Sequence, residues 1–442
     1  MTLSDSCMDT FETAYARALQ SGDKELVEVV RKYPTEYMAV CNKLLADGDE
    51  ALALRHFEIA LGASANPACR AIILNDIGRI HANAGYTRKS LGFFNKANQI
   101  HPNQPGILSN LGLTNRWAGK YKEAENYLKQ ALQFNPWEHN AALESAFLAL
   151  IQGDYKRGFE LYEARWRMPG GQLKKLECDK PEWDLTNGKN VFIYGEQGSG
   201  DIFLMLRYAK LIRALGVRQT WVVHKAMKPL VDLVADIDCV VSDGSPTPDF
   251  DCHFPAASLP RLFKTTLDAV PNGKLFDNIT PHDFGEGFHV GIVWRGNKTQ
   301  INDRIRSTQL KEWLHVLNVD GVKFHSLQVD GSDEGLLYPQ LNQMPLPKDW
   351  LETAQRVAGL DLIISVDTSM VHLCGSMGKP VWCALHCRPY FVFPTVRDDC
   401  PWYSSVRLFK QKTEHEWKPV FDEIANELRK LNDKSTSNQN TV

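Results

Sequence analysis

Apolar and polar positions recur with a fixed period over the first part of the chain. The turn glycines Gly85, Gly119 and Gly153 recur at a constant spacing, and a second set of markers recurs at almost the same spacing, namely Pro67, Pro102 and Pro136. Two short helices that meet at a glycine turn repeat in this way when hairpins stack on one another. The pattern is clearest over 71–102 and 105–136, and less regular over 10–34, 37–67 and 139–166.

This period resembles that of the tetratricopeptide repeat, which is about 34 residues long. The resemblance implies an N-terminal tetratricopeptide helical solenoid over residues 1–168, whose groove binds a protein partner. The alternative is a set of helical hairpins that share a period by coincidence.

After Trp166 the pattern changes. Residues 169–189 are rich in Gly, Pro and charge, which predicts a linker. From residue 190 onward, short β-branched runs alternate with helical stretches, as in parallel sheets with right-handed crossovers. The predicted strands are Val191–Tyr194, Thr220–Val223, Cys239–Ser242, His289–Trp294, Lys323–Leu327, Leu362–Ser365, Pro380–Ala384 and Val406–Phe409.

The α/β region is predicted to form two Rossmann-like halves, because a polar, turn-rich stretch over 271–288 divides it. The halves cover 190–285 and 286–432. A last helix is predicted over 414–431, and the polar tail 433–442 is predicted to be disordered.

Charge and composition exclude several classes of protein. The net charge of -3 leaves no basic excess for coating nucleic acid. No apolar run approaches the roughly 18 residues of a membrane span, and the first twelve residues contain no basic group, unlike a secretory signal. The ten cysteines are scattered, which is typical of reduced thiols. We therefore expect a cytoplasmic protein without a membrane span or a nucleic-acid partner.

The first candidate site is the glycine loop that follows the strand VFIY. It contains Glu196, Gln197, Gly198 and Gly200 and ends at Asp201, where a helix begins. A glycine loop between strand and helix exposes backbone N–H groups to a ligand. The glycine spacing differs from that of the dinucleotide fingerprint. The alternative for Asp201 is a helix N-cap, with Glu196 a hydrogen-bonding residue of the loop.

The second candidate site opens the helix after the strand LIIS. Asp367 is placed to cap this helix, Thr368 and Ser369 offer hydroxyl and N–H groups, and His372 lies one turn further. Such a helix start can hold a diphosphate or a ribose. The alternative is a simple capped helix with a packed histidine.

The third candidate site follows the strand HVGIVW and contains Arg295, Asn297, Arg304 and Arg306. Ligands of open α/β sheets bind at the carboxyl ends of strands, and arginine suits phosphate because its fork is planar and charged. The alternative is a solvated basic loop.

A short segment with Cys383, His386 and Cys387 suggests the hypothesis of a metal site. Zinc sites usually pair two ligand pairs of short spacing, and no second pair follows here. We expect buried thiols and no metal.

Taken together, the loops resemble the heptosyltransferase-like superfamily of GT-B glycosyltransferases, and in particular bacterial proteins that fuse such a domain to tetratricopeptide repeats. The matching segments run in order from Gly158 to Trp382: GFELYEARW, PEWDL, GEQGSGDIFLMLRYAKLI, FDCHFPAASLPRLF, GIVWRGN, NDRIRS and ISVDTSMVHLCGSMGKPVW.

The resemblance implies a metal-independent, inverting transfer from a nucleotide-sugar donor to a protein or glycan acceptor, with no cofactor. It implies that Asp201 is the base, and that Asp367, Thr368 and His372 contact the donor. It also implies that a basic side chain of the third loop meets the diphosphate, without choosing among the arginines.

Two departures from the family leave an alternative open. The first half is short, and His386-Cys387-Arg388-Pro389 replaces a Gly/Thr-rich loop. The alternative is a catalytically inactive nucleotide-binding scaffold, or a regulator that acts through the repeats.

Overall fold

The computed structural model describes residues 5–168, 173–298, 300, 303–329 and 333–439, with the backbone alone described over 5–10 and 434–439. The chain divides into two compact units, Met1–Ser145 and Ala146–Val442. Among the helices of the described ranges, none has the length and apolar character that crossing a bilayer requires.

The first unit consists of helical hairpins, which confirms the predicted solenoid class. Its helices form consecutive pairs: α1 Asp5–Ser21 with α2 Asp23–Lys32, α3 Pro34–Ala46 with α4 Glu50–Ala63, α5 Pro67–Asn83 with α6 Thr87–Ile100, and α7 Pro105–Trp117 with α8 Tyr121–Phe134. Gly85 and Gly119 adopt the left-handed backbone, with positive φ, that ends one helix and starts the turn. The constant spacing of the glycines is therefore the spacing of these turns.

Gly78 and Gly112, which lie one repeat apart, allow the two helices of each hairpin to pack closely. A Cβ added to Gly112 of α7 would lie 2.5 Å from Cγ of Leu128 on α8, and one added to Gly78 of α5 would lie 2.6 Å from the ring of Phe94 on α6. Both partners are buried. The paired helices thus approach to a distance that only glycine permits.

We expect Gly112→Ala to lower the free energy of unfolding of the first unit by about 1–3 kcal/mol, because the added methyl overpacks the contact with Leu128. Gly106→Ala is the matched control, since Gly106 lies on the same helix with no atom within 4 Å of its added Cβ. Alanine should be neutral or stabilising there. Calorimetric unfolding of the full chain checks this, and equal stability of the two variants would contradict the close-packing account.

A fifth hairpin, α9 His139–Ile151 and α10 Tyr155–Tyr162, follows the others. Residues from Ala146 onward belong to the second unit. There, Tyr155 and Phe159 of α10 pack on Trp402, whose Nε1 donates to the Tyr155 hydroxyl at 2.9 Å. The repeat pattern of the sequence thus extends into the second unit, where α10 packs on residues of the α/β region.

The second unit contains two parallel sheets, as predicted. The first has the order β3-β2-β1-β4, with β1 Asn190–Tyr194, β2 Arg218–Val223, β3 Cys239–Ser242 and β4 Cys252–Pro255. The second has the order β10-β9-β8-β5-β6-β7, with β5 Phe288–Val293, β6 Val322–Ser326, β7 Leu341–Asn342, β8 Leu362–Val366, β9 Val381–Leu385 and β10 Val406–Lys410.

Helices cover both sheets. They are α11 Ser199–Met205, α12 Ala209–Ala214, α13 Lys228–Val231, α14 Leu259–Leu262, α15 Asp303–Arg306, α16 Leu314–Leu317, α17 Trp350–Gly359, α18 Ser369–Ser376 and α19 Lys418–Gln439. One apolar core joins the halves, and it includes Ile193 and Phe203 of the first half with Leu373 and Trp402 of the second. The two halves are therefore packed on each other over a shared core.

The segments at the predicted boundaries are ordered where the structure describes them. In the predicted linker, Trp183 is buried, and its backbone N–H donates to the carbonyl of His253 on β4 at 2.9 Å. Helix α19 continues to Gln439, through most of the tail predicted to be disordered. Residues 169–172 of the linker and 440–442 of the tail lie outside the described residues.

Candidate functional site

Two strand–loop–helix connections bring the candidate residues together. The first leads from β1 through the glycine loop into α11, and the second leads from β8 into α18. A Cβ added to Gly200 of α11 would lie 3.1 Å from Cδ2 of His372 and 3.6 Å from Cα of Ser369. The starts of the two helices, one from each half, are thus in contact.

Asp201 is the third residue of α11, and the N-cap position belongs to Gly198. Its carboxylate accepts a hydrogen bond from the Gly198 N–H, so it stabilises the helix start from inside the first turn. The pKa of this carboxyl is raised to about 6, chiefly by burial and also by the negative charges of Glu196 and Asp367, which outweigh the opposing effect of that hydrogen bond. Near neutral pH Asp201 can therefore take up a proton at small energetic cost.

Glu196 and Gln197 are held by a segment just before the linker. Arg165 donates to Glu196 at 2.8 Å, and both side chains are nearly fully buried. The side-chain amide of Gln197 donates to the Tyr162 hydroxyl at 2.8 Å, and its backbone carbonyl accepts from Nε2 of His224 at 3.0 Å. The glycine loop is thus fixed on both sides, and Glu196 itself points away from solvent.

The start of α18 is capped by Thr368. Its hydroxyl accepts from the Met370 N–H at 3.3 Å. The prediction that Asp367 caps this helix is therefore wrong, because Asp367 lies one residue too early and pairs with His386 at 3.6 Å. Although burial opposes it, this pairing holds the pKa of Asp367 below its usual range. Asp367 is thus an ionised carboxylate at the edge of the second sheet.

His372 is the buried histidine of this helix. Its Nδ1 lies 3.0 Å from the hydroxyl of Tyr403. The pKa of His372 is lowered to about 4, chiefly by burial; Asp367 opposes this shift, and Arg207 and Arg306 add to it. The imidazole is therefore neutral at physiological pH and offers one N–H donor.

Of the three candidate arginines, Arg306 lies nearest to the helix start. Its Nη1 donates to the backbone carbonyl of Asp367 at 3.1 Å, and its guanidinium packs against Gly296, where an added Cβ would come within 2.5 Å of Nη2. Arg295 is instead paired with Glu334. Asn297 is exposed on the loop after β5, and Arg304 is exposed on α15. Arg306 therefore lies at the start of α18, whereas Arg295 is held by Glu334.

Several residues of the site are absent from the sequence prediction. Tyr162 and Tyr390 both lie near Asp201, and burial together with that carboxylate raises the pKa of both phenols. Arg165 and Tyr162 belong to the segment GFELYEARW, so the resemblance given above already included them. His386 follows β9, the strand beside β8, and its position at the same sheet edge was a second usable signal.

The cysteines considered for metal binding are protonated thiols. Burial raises the pKa of Cys383 well above its usual value and that of Cys387 to about 11. Within the described residues, no group of three or more His, Cys, Asp or Glu side chains is placed to hold a metal ion. Independence from metal stays a prediction.

No family model matches the chain. Protein FlbA of Caulobacter vibrioides is 23% identical over 423 residues, which cover 86% of this chain and 70% of FlbA. The structure is similar to an O-GlcNAc transferase variant of Thermobaculum terrenum, with TM-score 0.35, 12% identity and 92% of each chain covered. It is also similar to a family 9 glycosyl transferase of Veillonella parvula, with TM-score 0.39 and 12% identity, covering 54% of this chain and 88% of that one.

At these TM-scores the solved structures are distant, so the fold assignment rests on the element order and sheet topology of the chain itself. Hairpins of constant period precede two parallel sheets that share one core and bring their helix starts into contact. The chain therefore combines a tetratricopeptide solenoid with a GT-B-like pair of Rossmann-like halves.

Proposed function

We propose that the protein is a metal-independent, inverting glycosyltransferase that moves a sugar from a nucleotide-sugar donor to a protein or glycan acceptor. The observation that carries this proposal is the position of Asp201. It is a partly buried carboxylate of raised pKa on the first half, at the place where α11 meets the donor-type helix start of the second half.

In the proposed reaction, Asp201 removes the proton from an acceptor hydroxyl as that oxygen attacks the anomeric carbon. The new C–O bond forms on the face opposite the departing diphosphate, so the anomeric configuration inverts. The bond between the anomeric carbon and the phosphate oxygen breaks, and its electron pair leaves with the nucleoside diphosphate.

Negative charge develops on the departing diphosphate, and positive groups that are already in position stabilise it. Arg306 and the N–H group of Ser369 at the start of α18 are the groups that we assign to this role. Thr368 and Asp367 then contact the rest of the donor. Because these fixed dipoles and the arginine stabilise the leaving group, the proposal includes no metal and no cofactor.

The helical hairpins supply the second part of the proposal. Stacked hairpins form a long surface with repeated side chains, which suits an extended protein segment. In the first unit, the side-chain amide of Asn110 donates to that of Asn75 at 2.8 Å, and these two asparagines are 35 residues apart, about one repeat. We propose that this surface binds the acceptor or a partner protein.

Incubation with a panel of nucleotide sugars tests the proposal, with release of nucleoside diphosphate as the measurement and donor affinity by calorimetry beside it. We expect one donor class to bind, and Arg306→Met to weaken that binding roughly tenfold or more, as expected for a lost charged hydrogen bond. Arg429→Met, on the exposed face of α19, is the control. A folded protein that binds none of the donors would rule out the proposal.

A second function is favoured by one observation, the loop after β9. Arg388 is buried there and paired with Glu414 at 2.8 Å, and His386 pairs with Asp367. These side chains fill the place of the Gly/Thr-rich loop of the resembling family. The alternative is a nucleotide-binding scaffold without transfer, which predicts donor binding with no turnover.

A further inference from the structure

Behind His372 lies a chain of buried polar groups that the proposed reaction does not use. Arg207, Tyr403 and His372 follow one another from the first half into the second, and each is less than one-tenth exposed. The guanidinium of Arg207 lies 4.6 Å from the centre of the Tyr403 ring. The hydroxyl of Tyr403 lies 3.0 Å from Nδ1 of His372.

Arg207 is fixed by backbone groups. It donates from Nε to the carbonyl of Leu204 and from Nη1 to the carbonyls of Pro271 and Trp402, each at 2.7 Å. Since a guanidinium has only donors, a polar atom that hydrogen-bonds to it must accept. Arg207 faces the ring of Tyr403 and therefore offers no acceptor for the phenol proton.

Within the described part of the chain, the hydroxyl of Tyr403 has one hydrogen-bond partner, Nδ1 of His372. A neutral phenol has one proton to donate, and a buried donor without an acceptor costs free energy. The Nδ1 of His372 is the group within reach. The ring of Tyr403 is held in this position because it packs on Gly375 of α18, where a Cβ would collide with it.

A neutral imidazole that accepts at Nδ1 carries its proton on Nε2. The Cδ2–Nε2 edge of His372 faces Gly200 at the start of α11, next to Asp201. Among the described residues, Nε2 has no hydrogen-bond partner in the protein. Its N–H is therefore available to a ligand that lies between the two helix starts.

We propose that Arg207 and Tyr403 are positioning residues that fix His372 in the Nε2–H form, so that its outer nitrogen is a permanent donor to an oxygen of the nucleotide-sugar donor. This rests on the proposed function for the identity of the ligand, whereas the fixed tautomer belongs to the free protein. A histidine free to exchange tautomers would present an acceptor to that oxygen for part of the time.

Nitrogen NMR of protein labelled with ¹⁵N-histidine tests the tautomer without any donor. The signal is assigned by comparison with His372→Gln. We expect Nε2 of His372 to carry the proton and Nδ1 to be bare in the wild-type protein. In Tyr403→Phe both nitrogens should show the averaged signals of exchanging tautomers. A proton on Nδ1 in the wild type, or an unchanged spectrum in Tyr403→Phe, would overturn the proposal.

Tyr208→Phe is the matched control, because Tyr208 is equally buried in the same unit and its hydroxyl pairs with Thr265 at 2.6 Å. We expect Tyr403→Phe to raise the Kd for the donor roughly three- to tenfold, the range for one lost hydrogen bond, and Tyr208→Phe to leave it unchanged. If no donor binds to the wild type, the proposed function fails while the spectrum still decides the tautomer. Should Tyr403→Phe not fold, the wild-type spectrum alone decides it.

Discussion

Replacing Asp201 with asparagine is expected to lower kcat by a factor of about 10²–10⁴, the range for loss of a general base, while donor affinity changes less than threefold. The reason is that Asp201 lies on the first half, on α11, whereas the groups assigned to the donor lie on the second half, at Arg306 and α18. Asparagine keeps the size of the side chain and removes its capacity to accept a proton. Single-turnover transfer and calorimetric donor binding measure the two effects separately.

The same substitution should make the protein more stable at neutral pH. The pKa of Asp201 is raised to about 6 in the folded protein from an ordinary value of 3.8. A carboxyl with a raised folded pKa favours folding when protonated, and this contribution is lost as pH rises through about 4 to 6. At pH 7 the buried charge costs up to about 3 kcal/mol, which asparagine avoids. Wild-type transfer should likewise fall as pH drops below about 6, since the base becomes protonated.

A variant that is both less active and less stable would contradict this account, because it would indicate that Asp201 serves the fold. Asparagine caps a helix about as well as aspartate, so a loss of stability would mean that the folded protein depends on the negative charge of Asp201. The sign of the stability change therefore tests the raised pKa of Asp201, even before a donor is identified. Asn426→Ala on α19 is a suitable control for general effects of substitution.

The sequence was sufficient for the architecture because periodicity reports local structure. A constant repeat period requires equal hairpins, and runs of β-branched residues between helices require a parallel sheet. All eight predicted strands have a counterpart. The missed strands are β4, which has four residues and contains His253 and Pro255, and β7, which has two. A two-residue strand is too short to show a pattern, and β4 lacks the β-branched run by which the equally short β3 was predicted.

The sequence predicts where the candidate site lies, but not which of its side chains contact one another. Parallel strands place the loops after β1, β5 and β8 at carboxyl edges, so the loops themselves could be named. Which arginine meets the helix start depends on side-chain direction across 61 residues of sequence, from Arg306 to Asp367. The capping residue of α18 also depended on a single-residue shift. Neither is encoded in local spacing.

For a related reason, the sequence does not predict ion pairs between residues that are far apart in the chain. Arg165 lies 31 residues before Glu196 and 93 before Ser258 in sequence, and it contacts both. Nothing in the segment EARWR distinguishes a buried arginine from a solvated one. The resemblance included this segment, but without an assigned role.

Arg165→Met is expected to lower the free energy of unfolding of the second unit by about 3–5 kcal/mol, the range for breaking a buried ion pair. Arg165 is 2% exposed, and it donates to Glu163 and Glu196 at 2.8 Å and to Ser258 at 2.7 Å. Its guanidinium also stacks on Trp166, 4.3 Å from the ring centre. Without it, the buried carboxylate of Glu196 loses its ion-pair partner, whereas Glu163 still pairs with Arg261 at 3.7 Å.

Urea unfolding followed by tryptophan fluorescence measures this loss. Arg213→Met provides the control, since Arg213 pairs with Asp238 at 2.9 Å but is 43% exposed, and a surface pair contributes about 1 kcal/mol or less. Adding Glu196→Gln to Arg165→Met should recover part of the stability, because one stranded charge is removed. A loss from Arg165→Met no larger than that from Arg213→Met would mean that Glu196 takes up a proton on burial. In that case the negative charge beside Asp201 would be absent, and the pKa of Asp201 would have to depend on burial and Asp367 alone.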